Sequence, residues 1–330
     1  MAKGIAILLV ILGHSIGGIG RGLIFSFHMP LFFIMSSITF RLSTDNNEFI
    51  NNTEKSFKRL FLPAIIIYCI TTTIQIIIDV PILTQYSSHE IRLYLAQIVN
   101  VFIFGSGFEV SVENAQIAPI GIPWFLIVLF LGKTLFDYLH LKLNRVAFFI
   151  SIALCYFLGS ILGIIQWLPF SCDIVLAIQP LLLFGIYFRN EKYKHIPPKM
   201  ICSLLIWLGL FAIILFGCGT YLEFACRTYP LFPLCYICAI SGTLFISYLC
   251  QLISRINIIT IPLIYLGKNT MVILWVHCIE DAFPFVWQLT SNNIFNAIIR
   301  MAEDIFIFII IMQLKRLIFI RQSLSQKINL

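Results

Sequence analysis

The sequence predicts an all-α protein, a polytopic membrane bundle of about ten transmembrane helices. The first observation is composition: 60% of the 330 residues are hydrophobic and 11% are charged, whereas a soluble domain carries about 25% charged residues. The second is that apolar segments of about 20 residues, long enough to cross a bilayer, recur along the whole chain. Residues 1–330 are therefore expected to form a single domain embedded in the membrane.

The expected spans follow one another with mostly short connections. They lie at about residues 4–20, 22–40, 60–79, 119–139, 146–168, 174–188, 201–218, 231–251, 260–280 and 295–319. The longest connection is residues 80–118, in which Ile91–Phe104 is expected to form an interfacial helix. A polar stretch follows this helix and contains Gly105, Ser106, Gly107, Glu109, Glu113 and Asn114.

The distribution of Lys and Arg predicts the orientation of the bundle. With the N-terminus inside, the inner segments hold sixteen of these cations: Lys3, Arg41, Lys55, Lys58, Arg59, Lys142, Arg145, Arg189, Lys192, Lys194, Lys199, Arg255, Lys315, Arg316, Arg321 and Lys327. The outer segments hold four: Arg21, Arg92, Arg227 and Arg300. Lys133 and Lys268 fall inside expected spans or at their edges. Because cytoplasmic loops are rich in Lys and Arg, both termini are expected in the cytoplasm, and the net charge of +7 implies no nucleic-acid partner.

The first forty residues carry two histidines within apolar segments, where ionisable groups are costly and mark functional sites. His14 follows Lys3 by eleven residues, which is three helical turns plus about 20°, so both side chains share one face about 16 Å apart. His28 follows in the second span at a similar expected depth. A neutral imidazole can accept a proton from a hydroxyl, so both histidines are candidate general bases. The alternative is a structural histidine hydrogen-bonded between helices, and Met29-Pro30 after His28 also suggests a simple kink.

Several basic residues on the expected cytoplasmic side are candidate contacts for the phosphates of a nucleotide-like donor. Lys3 starts the first span, and Lys58-Arg59 precede the third. Arg suits phosphate by its fork geometry and Lys by its compact charge. The alternative, which suffices for most of the sixteen inner cations, is that they anchor the helices at the membrane surface.

Four further residues are candidate contacts for an acceptor substrate. Trp124 opens the fourth span and Asp173 the sixth, while Asn269 and His277 lie in the ninth. The alternatives are an aromatic-belt anchor for Trp124, a helix cap for Asp173 and an interfacial histidine for His277. Histidines and carboxylates show no clear metal-ligand spacing, so no metal site is expected.

These residues fall in an ordered series of motifs that resembles the acyltransferase 3 family of integral-membrane acyltransferases, particularly its bacterial branch that O-acetylates polysaccharides and cell-surface sugars. The series comprises Lys3-Gly4-Ile5-Ala6 with His14, Phe27-His28-Met29-Pro30-Leu31-Phe32-Phe33, Lys58-Arg59-Leu60 before Pro63, Trp124-Phe125-Leu126, Asp173 before an apolar run to Gly185, and Leu266-Gly267-Lys268-Asn269-Thr270 with His277. One departure is Ser36-Ser37, where the family usually has Ser-Gly. Another is that the family usually has residues before the first motif, including an acidic one.

The resemblance implies a ten-helix fold in the bacterial cytoplasmic membrane, with the whole chain forming one acyltransferase domain. It implies that acyl-CoA is a co-substrate taken from the cytoplasm, with no permanently bound cofactor. His14 would be the catalytic base, with Lys3 as its basic partner. The expected acceptor is a hydroxyl of a cell-surface carbohydrate or of its lipid-linked precursor, and the expected acyl group is acetyl.

Two other functions fit the residues. One is a transporter or flippase of a lipid-linked or amphiphilic solute, which intramembrane histidines and a wide outer loop also suit. The sequence shows no internal repeat of the kind found in many secondary transporters, which counts against this function. The other is a non-catalytic relative that has kept the fold.

Overall fold

The structure of the chain, a computed structural model, describes residues 1–112, 115–190, 196–281, 283, 286 and 288–328. Glu113, Asn114, Lys192 and Lys194, which entered the loop and orientation predictions, lie outside the described residues.

Within the described residues the chain is mainly helical, and the bounds of each helix can be compared with the predicted spans. The helices are α1 Ala2–Ser15, α2 Gly18–Phe25, α3 His28–Ile38, α4 Asn46–Ser56, α5 Leu62–Leu83, α6 Ser88–Phe104, α7 Pro123–Lys142, α8 Arg145–Ile165, α9 Cys172–Ala177, α10 Gln179–Phe188, α11 Ile196–Cys218, α12 Leu234–Leu252, α13 Asn257–Lys268, α14 Thr270–Glu280 and α15 Asn293–Ile328. A π-helical segment, Phe57–Phe61, joins α4 to α5. Two short strands, β1 Val110–Val112 and β2 Ala115–Ile117, pair antiparallel with Val110 opposite Ile117.

The lengths and apolar composition of the helices indicate a multi-pass membrane protein. Six helical stretches in the described residues are long and apolar enough to cross a bilayer: Gly18–Ile38, Asn46–Leu83, Pro123–Lys142, Arg145–Ile165, Ile196–Cys218 and Leu234–Arg255. Two bent pairs raise the count to eight if each is one span: Pro169–Ala177 with Gln179–Phe188, bent by 49°, and Asn257–Lys268 with Thr270–Glu280, bent by 72°. A count of ten and cytoplasmic termini stay predictions.

The first and last predicted spans account for the difference between eight and ten. The predicted span 4–20 coincides with α1, which has 14 residues and at about 1.5 Å per residue is shorter than a hydrocarbon core of about 30 Å. Helix α1 ends at Ser15, and α2 begins at Gly18, where the backbone φ of 62° favours glycine. The predicted span 295–319 coincides with α15, where Glu303, Asp304, Lys315 and other charged residues interrupt the apolar sequence.

The predicted interfacial helix Ile91–Phe104 lies within α6, so its helical structure is confirmed. The helix begins three residues earlier than predicted, because Ser87 and Glu90 form a capping box in which each side chain accepts a hydrogen bond from the other residue's backbone N–H. Its position at a membrane interface stays a prediction.

Helix α1 lies at the centre of the packing. Its buried residues, among them Ile7 and Ile11, belong to the main hydrophobic core, and it packs against α2, α3, α13, α14 and α15. A side chain at Gly4 would overlap the Leu263 carbonyl, so glycine allows α1 and α13 to approach closely. A side chain at Gly185 of α10 would likewise overlap the Ser37 hydroxyl of α3, so glycine also allows these two helices to approach closely. Ser37 is the residue that departs from the family pattern.

Candidate active site

A cavity of about 930 Å³ runs along one face of α1. Helix α1 lines it with Lys3, Ile7, Val10 and His14, which recur at intervals of three and four residues and therefore lie along one stripe of the helix. The predicted common face of Lys3 and His14 is thus the wall of a cavity that extends from the first turn of α1 to its last.

His14 and His28 both line this cavity. The ring of Phe25 lies between them, with centroids 5.5 Å from His14 and 4.6 Å from His28. His28 is buried, and its Nδ1 lies 3.2 Å from the Ile24 carbonyl oxygen. A carbonyl can only accept a hydrogen bond, so this contact favours the tautomer with the proton on Nδ1 and leaves Nε2 as an acceptor.

One part of the cavity is strongly basic, and we call it the basic end. It is lined by Lys3, Arg41, Lys55, Arg59, Lys133 and Lys268. Lys133 interacts electrostatically with both Lys3 and Arg59, and its Nζ lies 4.3 Å from the centroid of the Phe40 ring. Lys3 and Lys133 are half-buried beside Arg59, and like charges so close together repel one another, so the arrangement favours binding of a polyanion.

Beyond His14 the cavity reaches residues of both signs, which we call the far end. Arg21, Glu223 and Asp281 line it. The Arg21 guanidinium lies 3.6 Å from the Glu223 carboxylate and 4.7 Å from the centroid of the Phe25 ring. Paired charges beside an aromatic ring offer both donors and acceptors to a hydroxylated ligand.

Comparison with known proteins identifies the family. The acyltransferase domain family, acyltransferase 3, matches residues 1–314. The chain belongs to the acyltransferase 3 family. No curated protein and no solved structure matches it significantly. Membership of this family, together with the apolar helices, makes the chain a multi-pass membrane acyltransferase.

In this acyltransferase, five of the nine site residues predicted from the sequence line the cavity: Lys3, His14, His28, Arg59 and Trp124. Lys58, although adjacent to Arg59, is absent from the lining. Its Nζ donates to the Glu54 carboxylate at 2.5 Å, and both side chains are largely exposed. This position is typical of an anchor on a helix surface.

The other three predicted residues lie outside the cavity lining. Asp173 is fully buried and pairs with Arg227 at 2.8 Å. The Asn269 amide donates to the Tyr265 carbonyl at 2.8 Å, at the break between α13 and α14. His277 is fully buried, and its ring centroid lies 5.7 Å from that of His14.

Four of the six side chains at the basic end were not among the predicted donor contacts: Arg41, Lys55, Lys133 and Lys268. The sequence places Arg41 and Lys55 among the inner cations, for most of which an anchoring role suffices, and it places Lys133 and Lys268 inside expected spans or at their edges. For Lys133 and Lys268 this position was the sequence signal that could have identified them as cavity residues, because a charge inside a membrane helix is costly unless it faces a polar cavity.

His277, Glu280 and Asp304 come together in the acyltransferase although the sequence predicted no metal site. Their donor atoms all lie within 4.8 Å of one another, a spacing that a divalent cation can bridge. Asp304 was not foreseen because it belongs to α15 and lies 27 residues beyond His277 in the chain.

Glu223 lies between α11 and α12, outside the membrane-spanning segments. Burial raises the pKa of its carboxyl above the usual range, and the neighbouring Arg21 offsets only part of this effect. The folded protein therefore holds this proton more tightly than the unfolded chain. The stability linked to the proton is present below the ordinary carboxyl pKa and is lost as pH rises through the raised value.

We expect the Glu223→Gln protein, which lacks this titration, to gain a small amount of stability relative to wild type as pH rises from about 4 towards neutrality. Thermal unfolding of both proteins in detergent across this range measures the difference. The exposed Glu109, changed to Gln, provides the control. A difference between wild type and Glu223→Gln that stays constant across the range, or reverses, would contradict the expectation.

Proposed function

We propose that this acyltransferase transfers an acyl group, acetyl in the first instance, from cytoplasmic acyl-CoA to a hydroxyl of a cell-surface carbohydrate or of its lipid-linked precursor. The bacterial inner membrane is the compartment where such a donor and acceptor meet. The observation that carries the proposal is one cavity that joins six basic side chains to His14 and His28.

The basic end suits the donor. Coenzyme A carries its negative charge on the phosphates of the nucleotide and its reactive sulfur at the end of a long pantetheine arm. Phosphates held by Lys3, Arg59 and Lys133 leave the arm to follow α1. Lys3 and His14 are separated by about 16 Å along the helix, which is of the order of an extended pantetheine arm, so the thioester reaches His14.

At His14 the chemistry is a proton transfer followed by acyl transfer. The neutral imidazole accepts the proton of the acceptor hydroxyl as the oxygen attacks the thioester carbonyl. The tetrahedral intermediate collapses, the C–S bond breaks, and the protonated imidazole returns its proton to the departing thiolate. The products are an O-acyl ester and free coenzyme A thiol.

The far end suits a hydroxylated acceptor. Arg21 and Glu223 supply a donor and an acceptor for sugar hydroxyls. Trp124 and Phe108, which also line the cavity, supply flat apolar faces on which a sugar ring can pack. His14 lies between this group and the basic end, so the two substrates approach it from opposite sides.

The test follows free thiol in purified protein reconstituted in lipid, with radiolabelled acetyl-CoA and a cell-envelope carbohydrate fraction. We expect thiol release to accelerate when the carbohydrate is present and the label to appear in the carbohydrate. Acetyl-pantetheine, which lacks the nucleotide phosphates, should be used much less well. Absence of thiol release with any acyl-CoA, together with movement of a lipid-linked solute across the vesicle, would overturn the proposal in favour of transport.

The basic end makes a separate prediction about donor binding. Replacing Lys133 with Gln is expected to raise the KM for acetyl-CoA about 10-fold or more, since a hydrogen bond to a charged group contributes about 1.5–3 kcal/mol. Lys142→Gln is the matched control, because Lys142 belongs to the same helix but bonds Asn46 at 2.8 Å outside the cavity. Equal KM values for the two variants would remove Lys133 from the donor site.

A further inference from the structure

A buried polar cluster lies directly behind His14. His277 of α14 places its Nδ1 3.0 Å from Asp304 Oδ2 of α15 and 3.4 Å from Glu280 Oε2. The Arg300 guanidinium donates to Glu280 Oε1 at 2.7 Å. We call these four residues the His277 cluster, and each is at most 5% exposed.

The cluster is costly as a purely structural element. Two carboxylates and one guanidinium are removed from water. Within the described residues Asp304 Oδ1 and His277 Nε2 are buried without a hydrogen-bond partner, and Glu280 Oε2 has only the 3.4 Å contact with His277 Nδ1. Each such atom loses its hydration without full replacement. Apolar residues would join α14 to α15 more cheaply, because buried ion pairs are weak evidence for stability.

The contacts of the His14 ring indicate a role for the cluster. No hydrogen bond to the His14 imidazole is found within the described residues, although the ring reaches the cavity. Its described ring contacts are Phe25, at 5.5 Å, and His277, at 5.7 Å. Phe25 packs edge-on from α2, so a shift of the His277 ring would free His14 to rotate away from the reacting groups.

We propose that His277 is a positioning residue for His14, and that Asp304 and Glu280 hold the His277 ring in the orientation this requires. The inference rests on the proposed function, in which His14 is the base. Because His277 does not line the cavity that holds the donor contacts, it acts on the rate of the chemical step and leaves donor binding unchanged.

The test compares His277→Gln and Asp304→Asn with wild type for thiol release from acetyl-CoA. Asp79→Asn is the matched control, because Asp79 also accepts a side-chain hydrogen bond, from Tyr94 at 2.9 Å, but does not line the cavity. We expect kcat to fall about 10- to 100-fold in both cluster variants, as misplacement of a catalytic group does, with KM for acetyl-CoA within two-fold. Asp79→Asn should retain the wild-type kcat.

The decisive measurement repeats Asp304→Asn in a His14→Ala background. If His277 acts through His14, the second change causes no further loss, since residues that act as a unit are non-additive. A further loss equal to that in wild type, or an unchanged kcat in His277→Gln, would overturn the inference. So would one bound metal ion per wild-type chain, measured by mass spectrometry, that Asp304→Asn abolishes. Full transfer by His14→Ala alone would instead overturn the proposed role of His14.

Discussion

Replacing His14 with glutamine is expected to lower kcat for acyl transfer by about 10²- to 10⁴-fold, the usual contribution of a positioned general base. Glutamine approximates the size of the imidazole and keeps a hydrogen-bonding group in the cavity, but it cannot accept the hydroxyl proton. The six cations of the basic end remain, so KM for acetyl-CoA should change little. Assays of thiol release in lipid vesicles at a series of acetyl-CoA concentrations measure both kcat and KM.

The chain offers a matched control for this substitution. His140 lies near the end of α7, is exposed, and makes an edge contact with Phe148 outside the cavity. His140→Gln should therefore retain the wild-type kcat. If His14→Gln also retains it while folding normally, the base is another group, and His28 is the next to test because its Nε2 is available as an acceptor.

The early part of the site was predictable because the membrane penalises misplaced charge. Lys3 and His14 share a helix face by their spacing, and each is an ionisable group in an apolar segment. The structure places both on one cavity wall. Arg59 and Trp124 reach the same cavity from other helices, a convergence that helix periodicity alone does not predict.

The pairing of distant residues could not be read from local sequence. Asp173 precedes its partner Arg227 by 54 positions, and Asp304 follows His277 by 27. Each pairing depends on how helices pack, and neither partner has a local pattern that reveals it. The sequence therefore presents Asp173 as a candidate contact for the acceptor substrate, whereas in the structure its carboxylate pairs with the Arg227 guanidinium.

The bends in the helices were hidden for a related reason. The predicted spans 174–188 and 260–280 are continuous in hydropathy, so a sliding count of apolar residues cannot detect a break within them. In the structure they bend by 49° and 72°. The second bend, at Asn269, places Lys268 on the cavity wall and continues into α14, which carries His277.

The ion pair between Asp173 and Arg227 carries the second large expected effect. Both side chains are at most 1% exposed, so neither can recover hydration if the other is removed. Replacing Asp173 with Ala is expected to lower the free energy of unfolding by about 3–5 kcal/mol, the usual cost of leaving a buried charge without its partner. Denaturant titration in detergent measures this loss.

Two comparisons test the physical cause. Glu54→Ala removes one partner of the largely exposed pair with Lys58, and it should change stability little because water replaces the lost partner. The double variant Asp173→Leu, Arg227→Met removes both buried charges and should recover much of the stability lost by Asp173→Ala. An Asp173→Ala protein as stable as wild type would mean that the pair is not desolvated.

The same ion pair anchors the loop that supplies Glu223 to the far end of the cavity. The Arg227 guanidinium also donates to Ser106 at 2.6 Å and to Ser171 at 3.0 Å, and it stacks 3.9 Å from the centroid of the Trp167 ring. Releasing it should displace the loop while the basic end stays intact. At a temperature where Asp173→Ala remains folded, we therefore expect hydrolysis of acetyl-CoA by water to continue while transfer to the carbohydrate falls. Parallel loss of both reactions would show that the loop supports the whole cavity and not the acceptor side alone.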